Sequence, residues 1–338
     1  MRFLVWFSLG WCGLAALPLK AQDPQFTQFY HAPLYLNPAF TGTTEEFRLA
    51  GNYRYQWTAI DAQFMTTTVA FDYSAPTIRS GFGLLIQHDK AGGFLTTTGA
   101  TGLYSFLVPL SDQWHLRLGL QAGVGNRQLD FSQLVFVSQV RPDEADVWEG
   151  GSSGSRWFAD FAGGAVLYSR HFWGGLAVHH LNRPNTSFFS GDNAIMPLKI
   201  SAHVGANLPI STLNGDLYLL PAALYRQQGP VSQLDVGARL AFERFPLILG
   251  VAYRGIPFKK NFNSTQQDAI AFTTGLRTGQ FTFGYSYDLT IAGIRPYSGG
   301  SHEIAIVYEW ATKRSRSRRG ISCPIYDKPM NSGWNLRQ

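Results

Sequence analysis

The chain reads as an all-β protein: an outer-membrane antiparallel barrel of about fourteen strands, with an N-terminal plug or rim segment. Three observations lead there. Apolar and polar residues alternate with a period of two along most of the sequence, as on strands with two unlike faces. The alternating stretches run nine to fifteen residues, which suits tilted membrane strands of ~9–11 residues better than the ~5–6 of soluble sheets. The connections between them also alternate between long and short.

Residues 1–21 read as a secretory signal peptide. Arg2 gives the positive start, 3–17 the apolar core and Leu19-Lys20-Ala21 the small residue before the cut. The apolar run is shorter than the ~20 residues of a spanning helix, and Trp11 beside Cys12 argues against a lipoprotein box. With the leader removed, Cys323 is the one cysteine left, so no internal disulfide forms. Residues 22–44 hold Pro24, Pro33 and Pro38 and little alternation. They suit a filler for the lumen, because a barrel of ~8 strands already fills its own interior and fourteen leave space.

The barrel proper is expected over 45–310. Its fourteen segments are 45–57, 63–74, 80–88, 95–106, 113–127, 156–170, 172–180, 197–208, 215–226, 231–242, 246–254, 268–278, 280–290 and 302–310. In the thirteenth, Phe281, Phe283, Tyr285 and Tyr287 alternate with Gln280, Thr282, Gly284, Ser286 and Asp288. An aqueous sandwich also alternates, so the loops decide. In an even-stranded barrel with periplasmic termini, odd connections face outward and even ones the periplasm. Here the fifth, seventh, eleventh and thirteenth connections are long, while Gly279 and His171 are minimal even turns. A closed barrel also answers the demand of lipid that every backbone polar group find an internal partner.

Charge is concentrated at one end. The chain carries 28 Lys and Arg against 22 Asp and Glu. Lys313, Arg314, Arg316, Arg318, Arg319, Lys328 and Arg337 stand against Asp327 alone in the tail, and the body is near neutral. That excludes nucleic acid as the partner implied by the basic pI. Residues 311–338 read as a basic periplasmic tail in which Lys313, Arg314, Arg316, Arg318 and Arg319 form a candidate partner-docking run.

A short string carries a family resemblance. Gln22-Asp23-Pro24, Gln28-Phe29-Tyr30, and Pro33-Leu34-Tyr35-Leu36-Asn37-Pro38-Ala39-Phe40 with Gly42 run into Asn52-Tyr53-Arg54 and Gln56-Trp57. His180–Phe188 and Cys323-Pro324 add to it. The string resembles the PorP/SprF family, outer-membrane proteins of the type IX secretion and gliding machinery of Bacteroidota. The resemblance implies a non-enzymatic role in exporting or anchoring a secreted adhesin-like client. It also implies contact with the periplasmic ring or a peptidoglycan-binding component. Gln28, Phe29, Tyr30, Pro33, Tyr35, Asn37 and Pro38 are its motif residues.

Chemistry elsewhere is sparse. His179-His180 with Ser187 and Ser190 allow an outer-membrane hydrolase as a rival reading, but neighbouring residues of a regular strand face opposite sides, so both histidines would not share one site. Asp143, Glu144, Asp146 and Glu149 crowd the longest loop without the spacing of a calcium loop, and no cofactor motif or zinc spacing occurs. Arg48, Arg54, Glu303 and Glu309, with Arg117, Lys199, His203, Asp235 and Arg239, fall on polar faces and are expected in the lumen. Arg48 is expected to pair with Glu309 across the closing strands. A passive channel for hydrophobic or small solutes is the second rival.

Overall fold

The computed structural model describes residues 22–62, 64–130, 132, 154–188, 191, 193–210, 217–242, 245–261, 264–293, 295–312 and 323–325, with backbone alone for 257–267, 295 and 296. Its strands are β1 Phe47–Gln56, β2 Phe64–Ala75, β3 Ser80–Ala91, β4 Leu95–Pro109, β5 His115–Leu129, β6 Gly154–Tyr168 and β7 Phe172–His179. They continue as β8 Lys199–Ala206, resumed after Asn207 over Leu208–Ile210, then β9 Leu217–Gln228 and β10 Val231–Phe242. The last four are β11 Leu247–Asn261, β12 Ser264–Thr278, β13 Phe281–Thr290 and β14 Ser301–Trp310.

Each strand pairs antiparallel with its sequence neighbours, and β14 pairs back with β1. The sheet therefore closes into a fourteen-stranded barrel with no free edge, the condition lipid imposes. Closure places Arg48 opposite Glu309 and Arg54 opposite Glu303. One rim, here the terminal rim, carries the start of β1 and the end of β14; the other is the far rim. No helix among the described residues is long and apolar enough to cross a membrane.

The wall is apolar outside and polar inside. Leu120, Leu176 and Val204 are 64, 61 and 56% exposed, whereas Arg48 and Glu303 are 1 and 0% exposed. A water-soluble barrel would reverse that order. Rings crowd the outer face at the terminal rim, where Phe47 stacks on Tyr73 at 4.9 Å and on Trp310 at 5.2 Å. Such belts mark the membrane–water boundary of outer-membrane barrels.

One connection differs from the sequence reading. The eleventh was expected as a long loop, but β11 and β12 pair on to Asn261 and Ser264 with register shifts after Arg254 and Ile256. Polar residues break the period-two signal there, and the ladder resumes beyond the shifts at Lys260 and Asn261. The fifth connection, with its acidic cluster, lies outside the described residues.

Residues 22–44 run through the lumen. Pro33 opens a single helical turn, α1 Pro33–Leu36, and Pro38 opens a 3-10 turn, Pro38–Phe40. Both prolines sit in a first turn, where a missing N–H costs nothing. Asn37 between them is extended at φ −157°, as the residue before a proline prefers, and its side chain accepts from the Ala39 amide. The segment lies close against the wall where the wall has no side chain. A Cβ on Gly119 would run into Pro38 and Ala39, one on Gly164 into Asn37, and one on Gly284 into Gln28.

Candidate functional site

The site is the contact between this segment and the inward charges. At mid-height toward the far rim, Glu303 accepts from the backbone amides of Thr27 at 2.7 Å and Gln28 at 2.8 Å. Arg54 holds Glu303 at 3.2 Å and Asp288 at 2.7 Å. Arg254 adds a second guanidinium on Asp288 at 2.7 Å, and Arg54 and Arg254 both donate to the Thr27 hydroxyl. Arg226 pairs with Asp235 beside them. Three arginines thus face Asp235, Asp288 and Glu303, so the buried charges balance, which a low-dielectric interior requires.

Near the terminal rim a second set holds the end of the segment. Arg48 grips Asp72 with two nitrogens at 2.8 and 3.0 Å, and Asp72 accepts from the Gly42 amide at 2.7 Å. Arg117 and the Ser105 hydroxyl donate to the Thr41 carbonyl at 2.8 and 2.6 Å. Arg48 therefore has Glu309 as its register partner and Asp72 as its bidentate partner. Half-buried Glu309 also accepts from Thr44 at 3.0 Å.

A third set lies level with the far ends of β7, β8 and β9. There the Asp23 carboxylate takes Lys199 at 2.7 Å, His180 at 2.8 Å and Gln228 at 3.1 Å. The Gln228 side chain returns the bond to the Asp23 amide at 2.9 Å. Burial alone would favour the neutral acid, but Lys199 and His180 hold the Asp23 carboxyl well below the usual carboxylate range. His180 donates through its second nitrogen to Asp160 at 2.9 Å. Burial opposes its charge, yet the two carboxylates push the imidazole up to about 9.

The histidine pair corrects the sequence reading. Both rings turn inward and stand 6.4 Å apart, because β7 ends at His179 and His180 takes a left-handed φ of +60°. His179 meets the Leu36 carbonyl at 3.2 Å. Both nitrogens of His180 are taken by carboxylates, which leaves neither for a serine nucleophile. Ser187 is buried; Ser190 lies outside the described residues.

The motif residues share this lumen. Phe29 and Tyr30 pack with Leu36 and Phe40 against Val166, Tyr168, Trp173 and Leu224. Arg239 lies over the Tyr30 ring at 3.3 Å, and Lys199 over half-buried Tyr35 at 4.8 Å. Gln28 donates to the Glu303 carbonyl, and Asn37 reaches the Leu176 carbonyl of the wall at 3.0 Å. Pro33 and Pro38 are buried at the two turns. Cys323 and Ile325 join the same cluster. Burial raises the Cys323 thiol to about 12, so it stays protonated. The segment extends from the far-rim level at Asp23 to the terminal rim at Thr44. Sequence reasoning missed Asp72, Asp160, Arg226, Arg254 and Asp288, although all lie on inward positions of their alternations. Lys313, Arg314, Arg316, Arg318 and Arg319 lie outside the described residues.

The family model of the type IX secretion system membrane protein PorP/SprF matches residues 19–308. The chain belongs to the PorP/SprF family. This makes it a type IX secretion membrane component, and the barrel places it in the outer membrane. No curated protein sequence matches this PorP/SprF chain. Among solved structures it is similar to the Acinetobacter baumannii outer membrane protein Omp33, at 9% identity and TM-score 0.44, covering 80% of this chain and 100% of that one. A Pseudomonas aeruginosa FadL homologue aligns at 13% identity and TM-score 0.43, over 81 and 93%. The CymD monoaromatic hydrocarbon channel aligns at 11% and 0.44, over 83 and 93%.

Proposed function

We propose that this barrel is a non-enzymatic component of type IX secretion that receives or anchors a secreted adhesin-like client at the outer membrane. In this reading residues 22–44 are a plug, the terminal rim is periplasmic, and the machinery contacts that rim through the periplasmic ring or a peptidoglycan-binding component. The basic residues Lys313, Arg314, Arg316, Arg318 and Arg319 serve as an electrostatic dock there. The observation that carries it is the balanced charge network, which binds the chain's own segment along the lumen axis. A wall built for solutes needs sites that release; this one spends its arginines and carboxylates on a peptide.

Comparing the secreted and surface proteome of cells with and without the protein tests the reading. Loss of a defined set of secreted or surface proteins supports it. An unchanged proteome together with lost uptake of a hydrophobic solute favours the channel instead.

A further inference from the structure

The wall holds residues 22–44 by backbone and side chain alike, and the backbone contacts run the length of the segment. The Thr27 and Gln28 amides go to Glu303, the Gly42 amide to Asp72, and the Asp23 amide to Gln228. Arg117 and Ser105 take the Thr41 carbonyl, and His179 takes that of Leu36. Backbone groups are common to every peptide, so such contacts read the path of a chain more than its sequence, as in strand-addition grooves. Side chains are read beside them: an acid at Asp23, a hydroxyl at Thr27, amides at Gln28 and Asn37, and rings at Phe29, Tyr30 and Phe40. Glycines 119 and 81 leave room for the main chain at Pro38–Ala39 and Thr41, and glycines 164 and 284 for the side chains of Asn37 and Gln28.

We propose that the lumen is a peptide-binding groove and that residues 22–44 are its intramolecular ligand, standing where an extended segment of another chain can bind. The ligand class is a peptide of about twenty residues with a leading acid and two proline-fixed turns, drawn from a second polypeptide. This rests on the client reading above and names what the client would offer. A tethered segment competes at the millimolar or higher effective concentration of a short linker, so a free peptide enters only when the latch is weakened.

The test uses the full chain, folded in detergent, with Asp23→Asn and Thr27→Val to weaken the latch. The probe is a fluorescent synthetic peptide of residues 22–44, with a scrambled peptide as control. Heat-modifiable migration on a gel verifies the barrel. Binding to the latch-weakened chain is expected at least tenfold tighter than to the unaltered chain, and tighter than for the scrambled peptide. Adding Glu303→Gln should weaken it at least tenfold, because the anionic acceptor of two amides is gone. If that variant gives no folded barrel, Asp72→Asn tests the same point at the other end. No binding to the latch-weakened chain, or binding indifferent to Glu303 and Asp72, overturns the proposal. A secretion defect on deletion without peptide binding would leave the client reading standing and remove only the groove.

Discussion

Asp23 and His180, 157 residues apart in sequence, meet at 2.8 Å near the far rim, and Asp160 takes the other nitrogen of the same ring. One residue of the N-terminal segment thus ties three wall strands together through Lys199, His180 and Gln228. Replacing Asp23 by Asn keeps the shape and removes the charge. Charged hydrogen bonds of this kind contribute roughly 1.5–3 kcal/mol. A cysteine placed at Gln25 should then react with a soluble thiol reagent at least tenfold faster in the Asp23→Asn chain, while barrel migration on a gel stays unchanged.

The same latch sets a pH window. His180 is raised from 6.5 to about 9, so its contribution is complete below 6.5 and lost as pH rises through about 9. Asp23 is held well below 3.8, so its contribution is complete above 3.8 and lost only as pH falls through that depressed value. Thiol reactivity at residue 25, corrected for the reagent's own pH dependence, should be flat between about pH 5 and 6.5, rise from there to about pH 9 and level off above it. His180→Gln should abolish that rise.

The outward face should reject charge. Leu120 lies exposed at the middle of β5, and an arginine on the lipid face of a barrel costs about 2–4 kcal/mol at the bilayer midplane. Leu120→Arg should lower stability by about that amount in urea-driven folding into liposomes, while Leu120→Phe should change it little.

Gly119 tests how closely segment and wall approach. A Cβ there would meet the backbone of Pro38 and Ala39, not a side chain that can rotate away. Gly119→Val should displace the 3-10 turn at about 1–3 kcal/mol. Proteolysis within residues 22–44 should speed up, and the strands should stay resistant.

The strands were legible because lipid and lumen impose opposite demands on alternate residues, so a period of two survives in composition alone. Closure was legible for the same reason, but its register was not: Arg54 and Glu303 are inward on the first and last strands, and parity leaves every even shift open, so only the structure sets them opposite. The partner of Arg48 was not legible either. Asp72 sits one strand away on an inward position, and parity marks it as a lumen residue without saying which arginine it takes. His180 escaped because a left-handed residue after a strand end is a property of the turn, invisible to alternation. The extent of the segment escaped too, since proline-fixed turns show that it bends and give no height in the barrel.

Amide hydrogen exchange of residues 22–44 in the full chain, folded in outer-membrane lipid, tests most directly whether the lumen wall binds the chain's own N-terminal segment. The Thr27, Gln28 and Gly42 amides, each bonded to a buried carboxylate, should exchange at least ~10³-fold slower than in the free peptide, as closed structure demands. Exchange of those three amides at the free-peptide rate, in a barrel whose strand amides remain protected, would contradict the account.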